Sequence, residues 1–366
     1  VSPPDAAIRE VKVSTYVIPT DYPESDGTLA WDKTTLVLVE IAGGNVRGTG
    51  YTYADASTAK LIESLLAGIV RGRDAFAVAE TWTAMVQAIR NLGRPGIASM
   101  AIAAVDVALW DLKARLLDVP LVTLLGAARR RVPIYGSGGF TSYPEDRLCA
   151  QLSGWAEQGI RRVKMKIGRD PVADRERVRR ARAAIGADVE LFVDANGAYS
   201  RKQALAQADD FARSQVTWFE EPVSSDDLDG LRLLRDRAPS GMDITAGEYG
   251  YDLPYFRRML EAGAVDVLQA DASRCAGITG FLDVAALCSA RSLRLSGHCA
   301  PALHAHVACA ARAVCHLEYF HDHARIEDML FEGAIRPRQG ALEPDLGRPG
   351  LGLTFKTSDA ARFASS

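Results

Sequence analysis

In the stretch RRVKMKIGRD, Arg161 to Asp170, Lys164 and Lys166 alternate with Val163, Met165 and Ile167. Residues two apart on a strand share a face, so both ammonium groups meet one environment, where repulsion and desolvation lower their pKa. A solvated strand face is the alternative. Ionisable residues recur at matching places along the chain. Short apolar runs end in Asp194 and Asn196 (VELFVDAN), in Glu220 and Glu221 (VTWFEEP), in Glu248 (DITAGE), in Asp271 (VDVLQAD) and in His298 (LRLSGHC), and a last one, HLEYFH, contains Glu318. Carboxylates closing three successive strands would resist ionising together if they converged. A divalent cation resolves that conflict, and oxygen-only ligands favour Mg²⁺, with Mn²⁺ as a substitute. Any one of these acids alone also reads as a solvated loop or helix-start residue.

A carboxylate beside an imidazole fixes its tautomer and raises its basicity, which is the reading of Asp271 with His298. Lys166, made partly neutral by Lys164 and a nearby cation, would be a second base on the opposite side. A metal between two opposed bases suits removal of a proton alpha to a carboxylate, with the enediolate charge held by the ion. Glu318, among other acids, would stay protonated and donate to the developing oxyanion.

These residues need a scaffold that brings strand ends together. From Val132 onward, eight strand candidates recur at intervals of roughly 22 to 30 residues, separated by amphipathic helical stretches, the pattern of a (β/α)₈ barrel whose strand C-termini share one mouth. An open doubly wound sheet is the alternative, but GSGGF does not fit its Gly-rich phosphate turn. The first 130 residues read as an α+β unit: strand-like runs 8–18, 34–41 and 46–53, then helical stretches near 57–70, 75–90 and 100–117. Between the first two strands, PTDYPESDGTLAWDK (residues 19–33) reads as a polar loop too long for a tight hairpin, a candidate lid or a plain surface connection. The expected division is a capping unit over 1–130, a catalytic barrel over 131–330 and a tail, 331–366, returning to the cap.

Composition narrows the partners. The chain has 366 residues and a formal net charge of −3, with charges mixed along it, which argues for a small-molecule partner and against nucleic acid. No apolar run reaches the ~18 residues of a membrane helix. The start, VSPPDAAIRE, lacks the regions of a signal peptide, so the protein reads as cytoplasmic. Six cysteines form no C-x-x-C pair, and neither a zinc knuckle nor a disulfide framework is indicated. Cys299, directly after His298, is expected to point away from it if the strand continues. All six histidines lie between His298 and His323, but His304 and His306 are two apart on a predicted helix and face apart, which argues against a histidine-held transition metal.

With KMKIG, DAN, FEEP, AGE, QAD and SGH in this order, nearly the whole chain resembles the enolase superfamily and, within it, the mandelate racemase subgroup, whose use of Lys or His bases with Mg²⁺ is a known pattern. The resemblance implies a modified TIM barrel of (β/α)₇β type, with an N-terminal α+β capping domain completed by the C-terminal tail. It implies Asp194, Glu220 and Glu248 as Mg²⁺ ligands, supported from behind by Glu221. Lys166 and the His298–Asp271 pair would be the two bases, and Glu318 the electrophilic acid. Lys164 would contact the substrate carboxylate and Asn196 the substrate. Where muconate-cycloisomerase-like and dipeptide-epimerase-like members carry a lysine this chain has Asp271, which disfavours those activities. Acid-sugar dehydration and 2-hydroxy-acid racemisation are both compatible, and the polar lid segment, with Tyr22 and Trp31 as substrate contacts, suits a polyol better than an aromatic ring. Relatives of this kind form dimers or octamers. A catalytically dead barrel with a binding role would be expected to lack one of these groups, and none is missing.

Overall fold

A computed structural model describes residues 6–365. Its N-terminal part is an antiparallel sheet of β1 (Ile8–Ser25), β2 (Ala30–Gly43) and β3 (Val46–Tyr53). The helix Ile97–Leu116 lies on β3. It can lie so close because β3 carries Gly48 and Gly50, where a Cβ would stand 2.4 Å and 2.2 Å from the carbonyl oxygens of Ala108 and Ala104. No helix among the described residues is long and apolar enough to cross a membrane.

Eight parallel strands follow: β4 (Val132–Gly138), β5 (Arg162–Lys166), β6 (Glu190–Asp194), β7 (Val216–Glu220), β8 (Asp243–Ala246), β9 (Val267–Ala270), β10 (Arg294–Gly297) and β11 (Val314–Phe320). Each pairs with the next, and β11 pairs with β4, closing a barrel with seven helical connections between its strands. This is the barrel expected from the strand spacing, in the modified form that the resemblance implied. Several of its helices start on residues that satisfy their own first N–H groups. Asp170, Asp227 and Asp252 accept such bonds, and Ser200 forms a capping box with Gln203, each cap worth about 1 kcal/mol. Below the site the barrel is filled by Tyr135, Phe192, Trp218 and His316, with the Phe192 and Trp218 rings stacked at 5.0 Å.

The segment expected to be a long loop is mostly strand. Pairing of β1 with β2 continues to Ser25 opposite Ala30, and residues 20–23 bulge out opposite the single residue Asp32. Asp26 makes the short turn: its Oδ1 accepts the N–H groups of Thr28 (2.6 Å) and Leu29 (2.7 Å), an Asx turn at the dipeptide Asp26-Gly27. The hairpin tip docks on the barrel. Ser25 Oγ is 2.6 Å from Thr141 Oγ1, and a Cβ at Gly27 would stand 2.6 Å from the Ala195 carbonyl oxygen.

The chain after Ile335 returns across both parts. Ala341–Leu342 pairs antiparallel with β4, the Leu351 N–H donates to buried Asp111, and the Ser365 N–H donates to the Thr15 carbonyl. A further tie runs from β3 to the helix His321–Leu330: Tyr51 Oη lies 2.6 Å from Glu327 Oε1, while the Ala302 N–H donates to Oε2 at 2.9 Å. Burial raises the Glu327 pKa to about 8, from 4.5 for an ordinary Glu. Folding therefore takes up a proton between these values, and stability is lost as pH rises from 4.5 toward 8. Glu327→Gln fixes the neutral form, so its melting midpoint should exceed the wild-type one at pH 8 and match it at pH 5. A difference independent of pH would mean the folded carboxyl is ionised throughout.

Candidate active site

Strand register assembles the site. Lys166 on β5 pairs with Asp194 on β6, and Asp194 with Glu220 on β7, so three functional residues stand in one row at the barrel mouth. Glu248 follows β8 after Gly247, whose φ of 139° and 2.0 Å clearance from a built Cβ to the Gln269 carbonyl oxygen admit only glycine. Asp271, His298 and Glu318 complete the ring from β9, β10 and β11. All of these side chains are buried or nearly so.

Ligand oxygens of Asp194, Glu220 and Glu248 lie within 4.8 Å of one another. Lys164 Nζ is 2.5 Å from Glu220 Oε1, 2.8 Å from Glu318 Oε1 and 3.3 Å from Asp194 Oδ2, over the Tyr135 ring at 5.4 Å. Lys166 Nζ is 2.5 Å from Asp194 Oδ2. Both lysines therefore act here as counterions. Burial lowers their pKa, but Glu220 and Glu318 for Lys164, and Asp194 for Lys166, carry both above the ordinary value. Asp194, 2.5 Å away, favours the charged form of Lys166, whereas the expectation of a partly neutral lysine rested on a neighbouring cation. Glu318, expected in its protonated form, meets two cationic neighbours: against burial, Lys164 and His298 hold its carboxyl below the usual range.

The crowded acids divide the strain unevenly. Burial and Asp194 raise Glu220 to about 8, burial and Glu248 raise Glu221 as well, and Glu248, opposed by burial, is lowered by His298. Three converging carboxylates with hard oxygen donors fit a Mg²⁺-sized ion, and an ion among them would relieve both the repulsion and the lysines' duty as counterions.

His298 Nδ1 is 2.8 Å from Asp271 Oδ2, and Asp271 Oδ1 accepts from the Ser273 N–H and Oγ–H at 2.7 Å each. This fixes Nδ1–H toward Asp271 and turns Nε2 outward. Nε2 lies 3.2 Å from Glu248 Oε2 and 3.5 Å from Glu318 Oε2.

A cavity of about 470 Å³ runs between the hairpin and the barrel mouth; Lys166, Asn196, Glu248, His298 and Glu318 line it from the barrel, and Trp31 from the hairpin. Asn196, in a left-handed conformation with φ 46°, keeps its buried Oδ1 unpartnered. Glu221, also left-handed, is buried behind the acids with Oε1 unpartnered. Tyr22 does not reach this cavity. It packs edge-on against Tyr143 at 5.4 Å under the Arg147 guanidinium, because it sits in the bulge and is turned to the outer rim. Trp31 does reach it, its Nε1–H donating to buried Glu24 at 2.8 Å.

Among the lining residues that escaped the sequence reading are Arg274, Tyr53 and His323. Arg274 donates to the Glu248 carbonyl at 3.2 Å and lies 3.7 Å from Asp271 Oδ2; a cation three residues beyond Asp271 was the available signal. Tyr53 and His323, stacked at 3.5 Å, come from β3 and the helix His321–Leu330 and had no local signal. Cys299 contradicts its expectation. The strand ends at Gly297, and φ values of 53° and 37° at Cys299 and Ala300 turn the thiol back toward His298 Nε2, 3.4 Å away.

The sequence model of the mandelate racemase / muconate lactonizing enzyme N-terminal domain matches residues 8–126, and that of the enolase C-terminal domain-like family matches residues 147–360. A 3,6-anhydro-alpha-L-galactonate cycloisomerase from Streptomyces coelicolor is 34% identical, over 98% of this chain and 99% of that protein. The L-talarate/galactarate dehydratase of Salmonella typhimurium is 30% identical over 97% of this chain and 90% of that protein. Its crystal structure with Mg and L-lyxarohydroxamate has a TM-score of 0.89 at 28% identity, covering 98% of this chain and 93% of that one. A mandelate racemase/muconate lactonizing enzyme-like protein from Rubrobacter xylanophilus is 57% identical with a TM-score of 0.96, covering 98% of this chain and all of that one. From fold, site and sequence together, this chain belongs to the mandelate racemase / muconate lactonizing enzyme family of the enolase superfamily.

Proposed function

We propose that this protein is a Mg²⁺-dependent acid-sugar dehydratase, converting a polyhydroxy carboxylate into a 2-keto-3-deoxy acid. The observation that carries the reading is the placement of Lys166 and the Asp271-oriented His298 on one cavity, with the carboxylates Asp194, Glu220 and Glu248 beside them. Those three would hold Mg²⁺, which when bound supplies positive charge for the oxygens of a substrate carboxylate as they become enediolate-like. Lys164, reaching the acids at the cavity floor, would steady the same carboxylate. Lys166 or His298 takes the alpha proton, and His298 Nε2 then delivers a proton to the departing 3-hydroxyl. Asn196 and Trp31 would contact the sugar chain, and the dehydratase and cycloisomerase relatives act, by their names, on sugar acids.

Two bases on one cavity also support a second reading, racemisation of a 2-hydroxy acid, in which one base removes the proton and the other returns it to the opposite face. Proton NMR in D₂O with Mg²⁺ and a panel of hexarates, pentarates, aldonates and aromatic 2-hydroxy acids separates the two. The expected result is a 2-keto-3-deoxy product with loss of one water. Alpha-proton exchange with an intact skeleton would make the protein a racemase or epimerase. Isomerisation of a ring-closed sugar acid without loss of water would place it with the cycloisomerases.

A further inference from the structure

Cys299 takes no part in the proposed reaction, yet its Sγ completes a regular triangle at the cavity wall. Sγ lies 3.4 Å from His298 Nε2 and 3.4 Å from Glu318 Oε2, and the third side, Nε2 to Oε2, is 3.5 Å. Tetrahedral zinc, with bonds of about 2.3 Å to sulfur, 2.0–2.1 Å to nitrogen and 2.0–2.2 Å to oxygen, sets its ligand atoms roughly 3.3 to 3.7 Å apart. All three sides fall within that window.

Each of these atoms is the one its residue leaves facing the others. His298 Nδ1 is held by Asp271 at 2.8 Å, the carboxylate–histidine pairing that orients a metal-binding imidazole. Glu318 Oε1 is occupied by Ser137 Oγ at 2.6 Å and Lys164 Nζ at 2.8 Å, while Oε2 is fixed by the Cys299 N–H at 3.1 Å. The left-handed backbone at Cys299 and Ala300 is a conformation non-glycine residues adopt at a cost, and it is what aims the thiol inward.

We propose that His298 Nε2, Cys299 Sγ and Glu318 Oε2 form a second metal site, distinct from the three-carboxylate site, for a thiophilic divalent ion of the zinc type. One sulfur and one imidazole ligand disfavour Mg²⁺ and favour Zn²⁺, Co²⁺ or Cu²⁺. All three residues line the cavity at the barrel mouth. On binding, a metal–sulfur bond replaces the S–H bond and the proton passes to water. The Nε2 lone pair is then engaged, so His298 can no longer exchange protons with a substrate. The ion would switch the enzyme off without displacing Mg²⁺, and the two sites meet at Glu248 Oε2, 3.2 Å from Nε2. The geometry holds whichever substrate the enzyme takes.

Co²⁺ titrated into the protein in excess Mg²⁺ tests this. We expect one equivalent to bind with a thiolate-to-metal charge-transfer band, Zn²⁺ to abolish the band by competition, and Zn²⁺ to inhibit turnover until a chelator and fresh Mg²⁺ restore it. Cys299→Ser and His298→Asn should each lose the band and weaken Zn²⁺ by more than the roughly 100-fold that losing even an outer partner of a ligand costs. Both should retain the Mg²⁺-dependent rise in melting midpoint, which shows that they fold and keep the carboxylate site. Absence of the band in the wild type, or its persistence in Cys299→Ser, overturns the proposal.

Discussion

Asp194→Asn should remove the Mg²⁺-dependent rise in melting midpoint and nearly all turnover together. An ion bound only by the folded state at a hundred times its Kd adds about 2.7 kcal/mol, which is several degrees for a chain of this size. Asp194 has no substitute among the neighbours, since Glu220 is bonded to Lys164 at 2.5 Å and to Trp218 Nε1 at 2.9 Å, and Glu248 approaches from the far side with His298. The charge a metal supplies to such a transition state is worth several kcal/mol, and at 1.36 kcal/mol per tenfold that is on the order of 10³ in rate. The Mg²⁺-free midpoint should change little. Lys166 loses its 2.5 Å partner, but a site with four buried acids, Asp194, Glu220, Glu221 and Glu248, facing two lysines loses one of its repelling charges. Differential scanning fluorimetry across a Mg²⁺ titration decides the matter. An undiminished shift in Asp194→Asn would remove this residue from the ligand set.

The barrel was legible because its signal is periodic. Eight β-branched or aliphatic runs at regular spacing named the strands, and parallel pairing in register then forced Lys166, Asp194 and Glu220 into one row. Residue types at strand ends could be read because a barrel converts sequence order into position around a single mouth. Three features were not legible, for separate physical reasons. The hairpin near residues 19–33 was hidden because a bulge absorbs residues 20–23 and makes the segment look too long for one, although Asp26-Gly27 marks the turn itself. Cys299 was misplaced because alternation holds only while the strand lasts, and the chain leaves it at Gly297. The charge states of Lys166 and Glu318 depend on which oppositely charged atom lies nearest, a distance that no spacing along the chain encodes.

His298→Asn should cut product formation severely while leaving the carboxylate site intact, and this separates the roles of the two bases. In the proposed dehydration, whichever group takes the alpha proton, the departing 3-hydroxyl needs one delivered, and Nε2 would be the atom to deliver it because Asp271 holds Nδ1 at 2.8 Å. General acid–base groups contribute about 10² to 10⁴ in rate, so loss within that range is expected, with the Mg²⁺ shift retained. Lys166, held to Asp194 on the opposite part of the ring, remains able to act alone. The variant should therefore still exchange the alpha proton of a bound sugar acid for deuterium without losing water, whereas Lys166→Met should lose that exchange. If exchange vanished in His298→Asn and survived in Lys166→Met, the imidazole would be the first base and the order would be inverted. If His298→Asn still formed the keto acid at the wild-type rate, the imidazole would have no part in the elimination, and the acid would have to be sought among Tyr53, Tyr249 and the other proton-bearing groups that line the same cavity.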